Sequence, residues 1–242
     1  MGLIKTKGIV LVENNLGDYD KMLTILTPGM GKIACSAKGA RRPKSLLMAG
    51  TQFLCFADYM IYKGNDTYNI NSCETIEFFY NIRTDLDKYK YAVHITKIIL
   101  DVTTENENSY RILQLYLNTL YTISETDKNL DLILSIFKLR LMCILGFKPQ
   151  VEKCVNCGIN SDIKYFSLKD NGLKCTSCGK NDKSSIEIMR STADAIKYIV
   201  MAPAKKIFSF NIPDDSIKEL EIISKLFLNE KLEKEYKLED LF

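Results

Sequence analysis

The sequence predicts an α+β chain of more than one domain, in which a small β-barrel precedes an α-helical domain bearing a four-cysteine, zinc-ribbon-like element. Three observations predict it. Period-two alternation broken by turn signals occupies the first eighty residues, apolar residues at helical spacing take over from about Cys73, and two Cys-x-x-Cys pairs stand seventeen residues apart. The boundaries that follow are a β-domain over residues 1–80 and a helical domain over 81–242, with the cysteine lobe inserted at about 151–183.

Ile4 to Val12 alternates, with Lys5 and Lys7 on one face and Ile4, Val10 and Val12 on the other. Lys21 to Thr27 reads as a second strand, Pro28-Gly29-Met30-Gly31 as a turn, and Lys32 to Ala37 as a third strand. A long aromatic and apolar run, Thr51–Lys63, supplies a fourth. Gly64-Asn65-Asp66 is a hairpin turn by composition, and Tyr68–Ser72 completes the set. Five strands in about seventy residues fit a small barrel, with the OB-fold as the leading candidate.

Beyond Cys73, Ile76–Asp101 predicts one or two helices, and Ser109–Ile123 another with Ser109 as N-cap. In Asn129–Leu145, apolar residues lie on the i, i+3, i+4, i+7 stripe and also fill the opposite side, so this helix belongs in the centre of a bundle. Gly146 ends it, with Pro149 beyond. Ser191–Met201 and Pro213–Leu228 read as two further helices, Pro213 lying just inside the second and Asp214-Asp215 in its first turn.

Eight cysteines are present, and Cys35, Cys55, Cys73 and Cys143 are isolated in apolar stretches, where a reduced thiol acts as a small hydrophobe. Cys154, Cys157, Cys175 and Cys178 differ. Two residues between sulfurs let each pair reach one ion, and Gly158 and Gly179 directly follow each pair. Tyr165–Leu168 and Asn171-Gly172 between the pairs read as a short hairpin. The pattern predicts one structural Zn²⁺; a redox dithiol does not explain two pairs at ribbon spacing, and a catalytic zinc keeps an open position and usually includes His. The single histidine, His94, lacks the His-x-Glu partner of zinc deaminases, since Thr96 stands at the Glu position.

Net charge is only +3, but its distribution is uneven. No acidic residue lies between Asp20 and Asp58, whereas Lys21, Lys32, Lys38, Arg41, Arg42 and Lys44 all do. From Asn211 onward nine acidic residues face five lysines. The segment Ala37–Ser45 places four cations in seven positions, broken by Gly39 and Pro43. Such a loop is either a solvated turn or an anchor for nucleic-acid phosphates, and its place between two strands of an OB-type barrel favours phosphates. Lys5, Lys7 and Lys32 are candidate helpers. Phe53, Phe56, Tyr59 and Tyr62 are candidates for base stacking, with at least half of them assigned to the core.

The N-terminus lacks the apolar core of a signal peptide, and no run of 18 apolar residues is free of charge, so a cytoplasmic protein without a membrane span is expected. Pro28-Gly29-Met30-Gly31-Lys32 fails as a P-loop: Leu26 stands where the first Gly is required and Ile33 where Ser or Thr would hold magnesium. With no HExxH, GxSxG or Cys–His nucleophile pattern, no enzyme is expected. A zinc-stabilised protein-interaction adaptor and an RNA-binding factor are the alternative classes.

Gly17-Asp18-Tyr19-Asp20 followed by Ala37-Lys38-Gly39-Ala40-Arg41-Arg42-Pro43-Lys44-Ser45 resembles the N-terminal signature of the bacterial recombination mediator family RecO. Tyr80–Leu86 and Leu145-Gly146-Phe147-Lys148-Pro149 ahead of Cys154 are similar to it as well, and the likeness runs over nearly the whole chain. Thr51-Gln52-Phe53 departs from it in lacking a proline between Gln and Phe, and Phe227–Lys234 loses the His and much of the basic character usual there. The resemblance implies an OB-fold, a helical domain with a four-cysteine zinc element, binding of single- and double-stranded DNA, annealing of complementary strands, and help in loading RecA onto DNA covered by single-strand-binding protein. It implies RecR and the acidic tail of single-strand-binding protein as partners, and a nucleoid-associated location.

Overall fold

The computed structural model describes residues 2–64 and 67–238. Of the hairpin turn read at Gly64-Asn65-Asp66, the last two residues lie outside this set, as do Glu239 and Asp240 of the acidic stretch. The chain contacts divide into two compact units, residues 1–114 and 115–242.

In the first unit, strands β1 (Gly2–Leu16), β2 (Asp20–Thr27), β3 (Gly31–Ala37), β4 (Phe56–Lys63) and β5 (Tyr68–Glu77) form a closed barrel in the order β1-β2-β3-β5-β4. Closure comes from β1, long enough to pair with β2 through its second half and with β4 through its first (Ile9↔Leu26, Lys5↔Met60). β3 and β5 pair in parallel over Cys35↔Tyr68 and Ser36↔Asn69. This is the OB-type arrangement predicted. Alternation fills the interior with Val10, Leu23, Ile25, Ile33, Cys35, Ala57, Tyr59 and Ile61. Ile9, Leu11 and Leu26 are also buried, so β1 and β2 bury both faces where they pair. A register shift between Val10 and Val12 moves Val12 off the inward face that simple alternation gave it.

Two strand limits differ from the sequence expectation. Thr51–Cys55 is a train of turns, so β4 starts only at Phe56. β5 runs through Glu77, past the point where a helical period was expected, because the long β4 offers partners as far as Phe56↔Glu77. The helices of this unit are α1 (Tyr80–Arg83) and α2 (Leu86–Val102), the latter capped by Asp85, whose carboxylate accepts from the Lys88 N–H. Helix α3 (Tyr110–Glu125) spans the division between the units; Ser109 precedes it, and its carbonyl accepts from the Leu113 N–H.

The second unit is built on α4 (Leu130–Ile144), α6 (Arg190–Met201) and α7 (Asp214–Leu232). Helix α4 is buried from Leu132 to Leu139 without a break and packs against α6 and α7, as its all-round apolar character requires. Asn129 caps it, accepting from the Leu132 N–H. Arg140 closes the far end of α6 by donating to the carbonyls of Ile199 and Val200 at 3.0 and 2.9 Å. Pro213 occupies the N-cap of α7, one position earlier than expected, with Asp214 and Asp215 in the first turn. Between α4 and α6 lies the lobe: strands β6 (Ile163–Ser167), β7 (Gly172–Cys175) and β8 (Ser185–Glu187), ordered β7-β6-β8, with the short helix α5 (Thr176–Lys180). The hairpin β6–β7 was expected; β8 and α5 are too short to leave a periodic signal.

Candidate functional site

The lobe brings its four cysteines together. The ligand sulfurs of Cys154, Cys157, Cys175 and Cys178 all lie within 4.8 Å of one another, and those of Cys157 and Cys175 are 3.6 Å apart. Four thiolates about 2.3 Å from a tetrahedral ion stand about 3.8 Å apart, so this donor set fits a metal ion. Cys154 and Cys175 are buried and Cys157 is exposed. Burial raises the Cys154 thiol, but backbone N–H groups of Cys157, Cys175 and Asn156 outweigh it and hold the thiol down at about 6. Proton sharing with the Cys175 and Cys157 sulfurs pushes Cys178 up to about 12. Four sulfurs this close cannot all ionise without a cation among them.

The two glycines after the pairs do different things. Gly158 takes φ +76° and donates its N–H to the Cys154 carbonyl, completing the first knuckle. Gly179 lies in α5, where a Cβ would stand 2.2 Å from the Tyr165 ring, so it admits an aromatic ring. Behind the knuckles, Lys174 is fully buried and its ammonium meets the carboxylates of Asp170 and Asp182. Asp182 also accepts from the hydroxyls of Ser167, Ser184 and Ser185, tying β6, β7 and the approach to β8 together. Charges four and eight residues apart, joined across turns at either end of a short strand, carry no sequence signature. Of the remaining cysteines, Cys35 and Cys55 are core thiols, with Cys35 pushed up to about 12 by burial, whereas Cys73 and Cys143 are half-buried.

The basic loop joins β3 to β4 as a series of tight turns, with N–H groups of Arg42, Ser45 and Met48 donating to the carbonyls of Gly39, Arg42 and Ser45. Its first part is fastened to the β1–β2 hairpin. The Gly39 N–H donates to Asp20 Oδ1 at 2.7 Å, the Arg41 N–H to the Tyr19 carbonyl at 2.9 Å, and the Arg41 guanidinium to the Gly17 carbonyl at 3.1 Å. The Arg42 guanidinium lies over the Tyr19 ring, 5.5 Å from its centroid. Its last part is fastened to the barrel: Leu47 packs on the core, the buried Tyr59 hydroxyl donates to the Gly50 carbonyl at 2.7 Å, and Lys21 Nζ to the Thr51 carbonyl at 3.3 Å. Lys38, Arg41, Arg42 and Lys44 are all exposed on this held segment. Tyr19 and Asp20, which orient it, were legible only as part of the Gly17–Asp20 resemblance.

The helper cations are placed differently. Lys7 is exposed on β1. Lys5 faces Asp58 at 3.5 Å, with most of its side chain in solvent. Lys32 instead donates its Nζ to the Leu100 carbonyl at 2.6 Å, at the end of α2. Of the aromatic candidates, Tyr59 is core and Phe53 is half-buried edge-on to Tyr89, whereas Tyr62 is exposed.

The chain thus combines a closed OB-type barrel, presenting a held cationic loop, with a four-thiol cluster able to ligate a metal. Residues 1–79 match the family described as recombination protein O N terminal, and residues 83–239 the one described as recombination protein O C terminal. The DNA repair protein RecO of Acetivibrio thermocellus is 43% identical over 98% of this chain and 94% of its own. That of Alkaliphilus metalliredigens is 38% identical over 85% and 84%, and that of a Thermoanaerobacter species 32% over 99% and 97%. The chain belongs to the RecO family, whose work is DNA repair and recombination. No helix among the described residues is long and apolar enough to cross a membrane.

Proposed function

We propose that this chain is a recombination mediator that binds single- and double-stranded DNA, anneals complementary strands and helps load RecA onto DNA coated by single-strand-binding protein, working with RecR and with the tail of single-strand-binding protein in the cytoplasm, at the nucleoid. The observation that carries the reading is the loop between β3 and β4, with four cations in solvent and a backbone held at both ends. Lys38, Arg41, Arg42 and Lys44, with Lys7 and Lys5 on β1 as helpers, contact phosphates of one strand and leave its base edges free to pair. Lys32 serves this surface indirectly, by fixing the β2–β3 turn to α2.

The reading involves no catalytic residue: annealing needs positioning and charge neutralisation, not bond chemistry. Cys154, Cys157, Cys175 and Cys178 hold one Zn²⁺, which supplies a structural cross-link between the two knuckles and folds the lobe. The division into a DNA-binding barrel over residues 1–80 and a helical domain over 81–242 with the lobe at 151–183 is retained as a functional one. Strand annealing of complementary oligonucleotides, with and without RecR, tests the reading. Arg41→Ala with Arg42→Ala abolishes annealing while the fold and zinc content stay intact; unchanged annealing would favour an adaptor whose basic loop is incidental.

A further inference from the structure

The loop carries, beside its cations, an apolar side chain that the fold leaves in water. Leu46 is 93% exposed, the most exposed large apolar side chain among the described residues, and Met48 close to it is 42% exposed. Its neighbour Leu47 turns inward onto the barrel core. Leu46 does not sit on a free arm: its segment lies between the anchors at Gly39 and Arg41 and those at Gly50 and Thr51. Lys44, two residues before it, takes φ +64°, a left-handed turn that a lysine adopts only when the surrounding loop imposes it. The result is an apolar tip projected from a held backbone, with Arg41, Arg42 and Lys44 immediately upstream.

We propose that Leu46 is a base-contacting residue that packs against the face of an unstacked base while the neighbouring cations hold the flanking phosphates. The occupant is a single strand of nucleic acid, because the adjacent charge selects a polyanion and only an unstacked strand offers an apolar face at the reach of its phosphates. Apolar side chains are used elsewhere as wedges against base steps, and contact with base faces is tolerant of sequence. Contact with the face leaves the pairing edge open, as annealing requires. The inference rests on the reading of the loop as a phosphate contact and adds a base contact to it.

The chain contains no tryptophan, so Leu46→Trp places a single indole at the tip, excited at wavelengths the tyrosines do not absorb. Titration with a thymidine oligonucleotide, with occupancy read independently from the anisotropy of a labelled strand, quenches this emission at saturation. Quenching is absent with a blunt duplex of equal charge. Leu46→Ser lowers single-strand affinity by about tenfold, the loss expected for one buried leucine, without changing the salt dependence. Full occupancy with unchanged Leu46→Trp emission, or Leu46→Ser binding as well as the wild type, would overturn the base contact alone. Absence of salt-dependent binding in every form, the wild type included, would instead sink the phosphate reading and this inference with it.

Discussion

The ammonium of Lys174 lies 2.6 Å from the Asp182 carboxylate, and only 1% of the lysine side chain reaches solvent. Hydrogen bonds from Lys174, Ser184 and Ser185 hold Asp182 well below the usual carboxylate range. Burial lowers Lys174, but its bonds to Asp170 and Asp182 outweigh that and raise it. The depressed carboxylate stabilises the lobe above the unfolded value of about 4, and that stability is lost as pH falls through its lower folded value. The raised lysine stabilises it below about 10.4, and that is lost as pH rises through its higher folded value. Asp182→Asn therefore melts several degrees below the wild type at pH 7, and the gap narrows as pH falls below about 4. Thermal melts of both proteins across pH check this, and equal melting at pH 7 would contradict it.

A second buried lysine has the opposite sign. Burial pushes Lys138, in the middle of α4, down to about 8, only partly opposed by Glu221. Stability from this group rises with pH between about 8 and 10.4, where the unfolded chain binds the extra proton. Lys138→Met is expected to stabilise the second unit by about 1–3 kcal/mol at pH 7 and to flatten that alkaline rise. Urea unfolding at pH 7 and 10 reads both effects.

Most of the fold was legible because periodicity reports burial. The strands around Val10, Ile25 and Ile33 and the all-round apolar α4 left clear patterns. The cysteine pairs were legible because ligand spacing is local. What was not legible depended on contacts that only the folded chain makes. Lys32 looked like any cation of the acid-free segment until the fold placed Leu100 beside it. Lys174 gave no hint of burial, since its partners Asp170 and Asp182 meet it only once the β-hairpin forms. Thr51–Cys55 looked like strand because its apolar residues are buried or half-buried while its backbone turns.

Gly31 shows how closely the β2–β3 turn meets the segment after α2. Its φ is +66°, and a Cβ there would stand 2.0 Å from the Thr104 carbonyl oxygen. Gly31→Ala is expected to destabilise the first unit by at least about 1–3 kcal/mol. Lys32→Met, which removes the bond to Leu100, costs about 1–2 kcal/mol and leaves the salt dependence of DNA binding unchanged. Denaturant melts and binding titrations of the two variants check these expectations.

On the proposed zinc reading, metal binding by the four thiols of the lobe is worth about 10–16 kcal/mol, of the same order as the stability of a whole domain. Cys175→Ser is expected to lose the bound equivalent of zinc and to make residues around 151–183 sensitive to protease before single-strand affinity falls. Metal analysis with limited proteolysis reads the first two, and strand binding the third. Loss of DNA binding with the lobe intact would assign the lobe to the DNA surface.

The central claim is that the held loop between β3 and β4 grips phosphates. Its most direct test is the dependence of single-strand affinity on salt. About five phosphates neutralised on a single strand predict that log K falls against log salt concentration with a slope of about −3 to −4, and removing Arg41 and Arg42 reduces its magnitude by about 1.4. A wild-type slope near zero, or a slope indifferent to both arginines, would contradict the account.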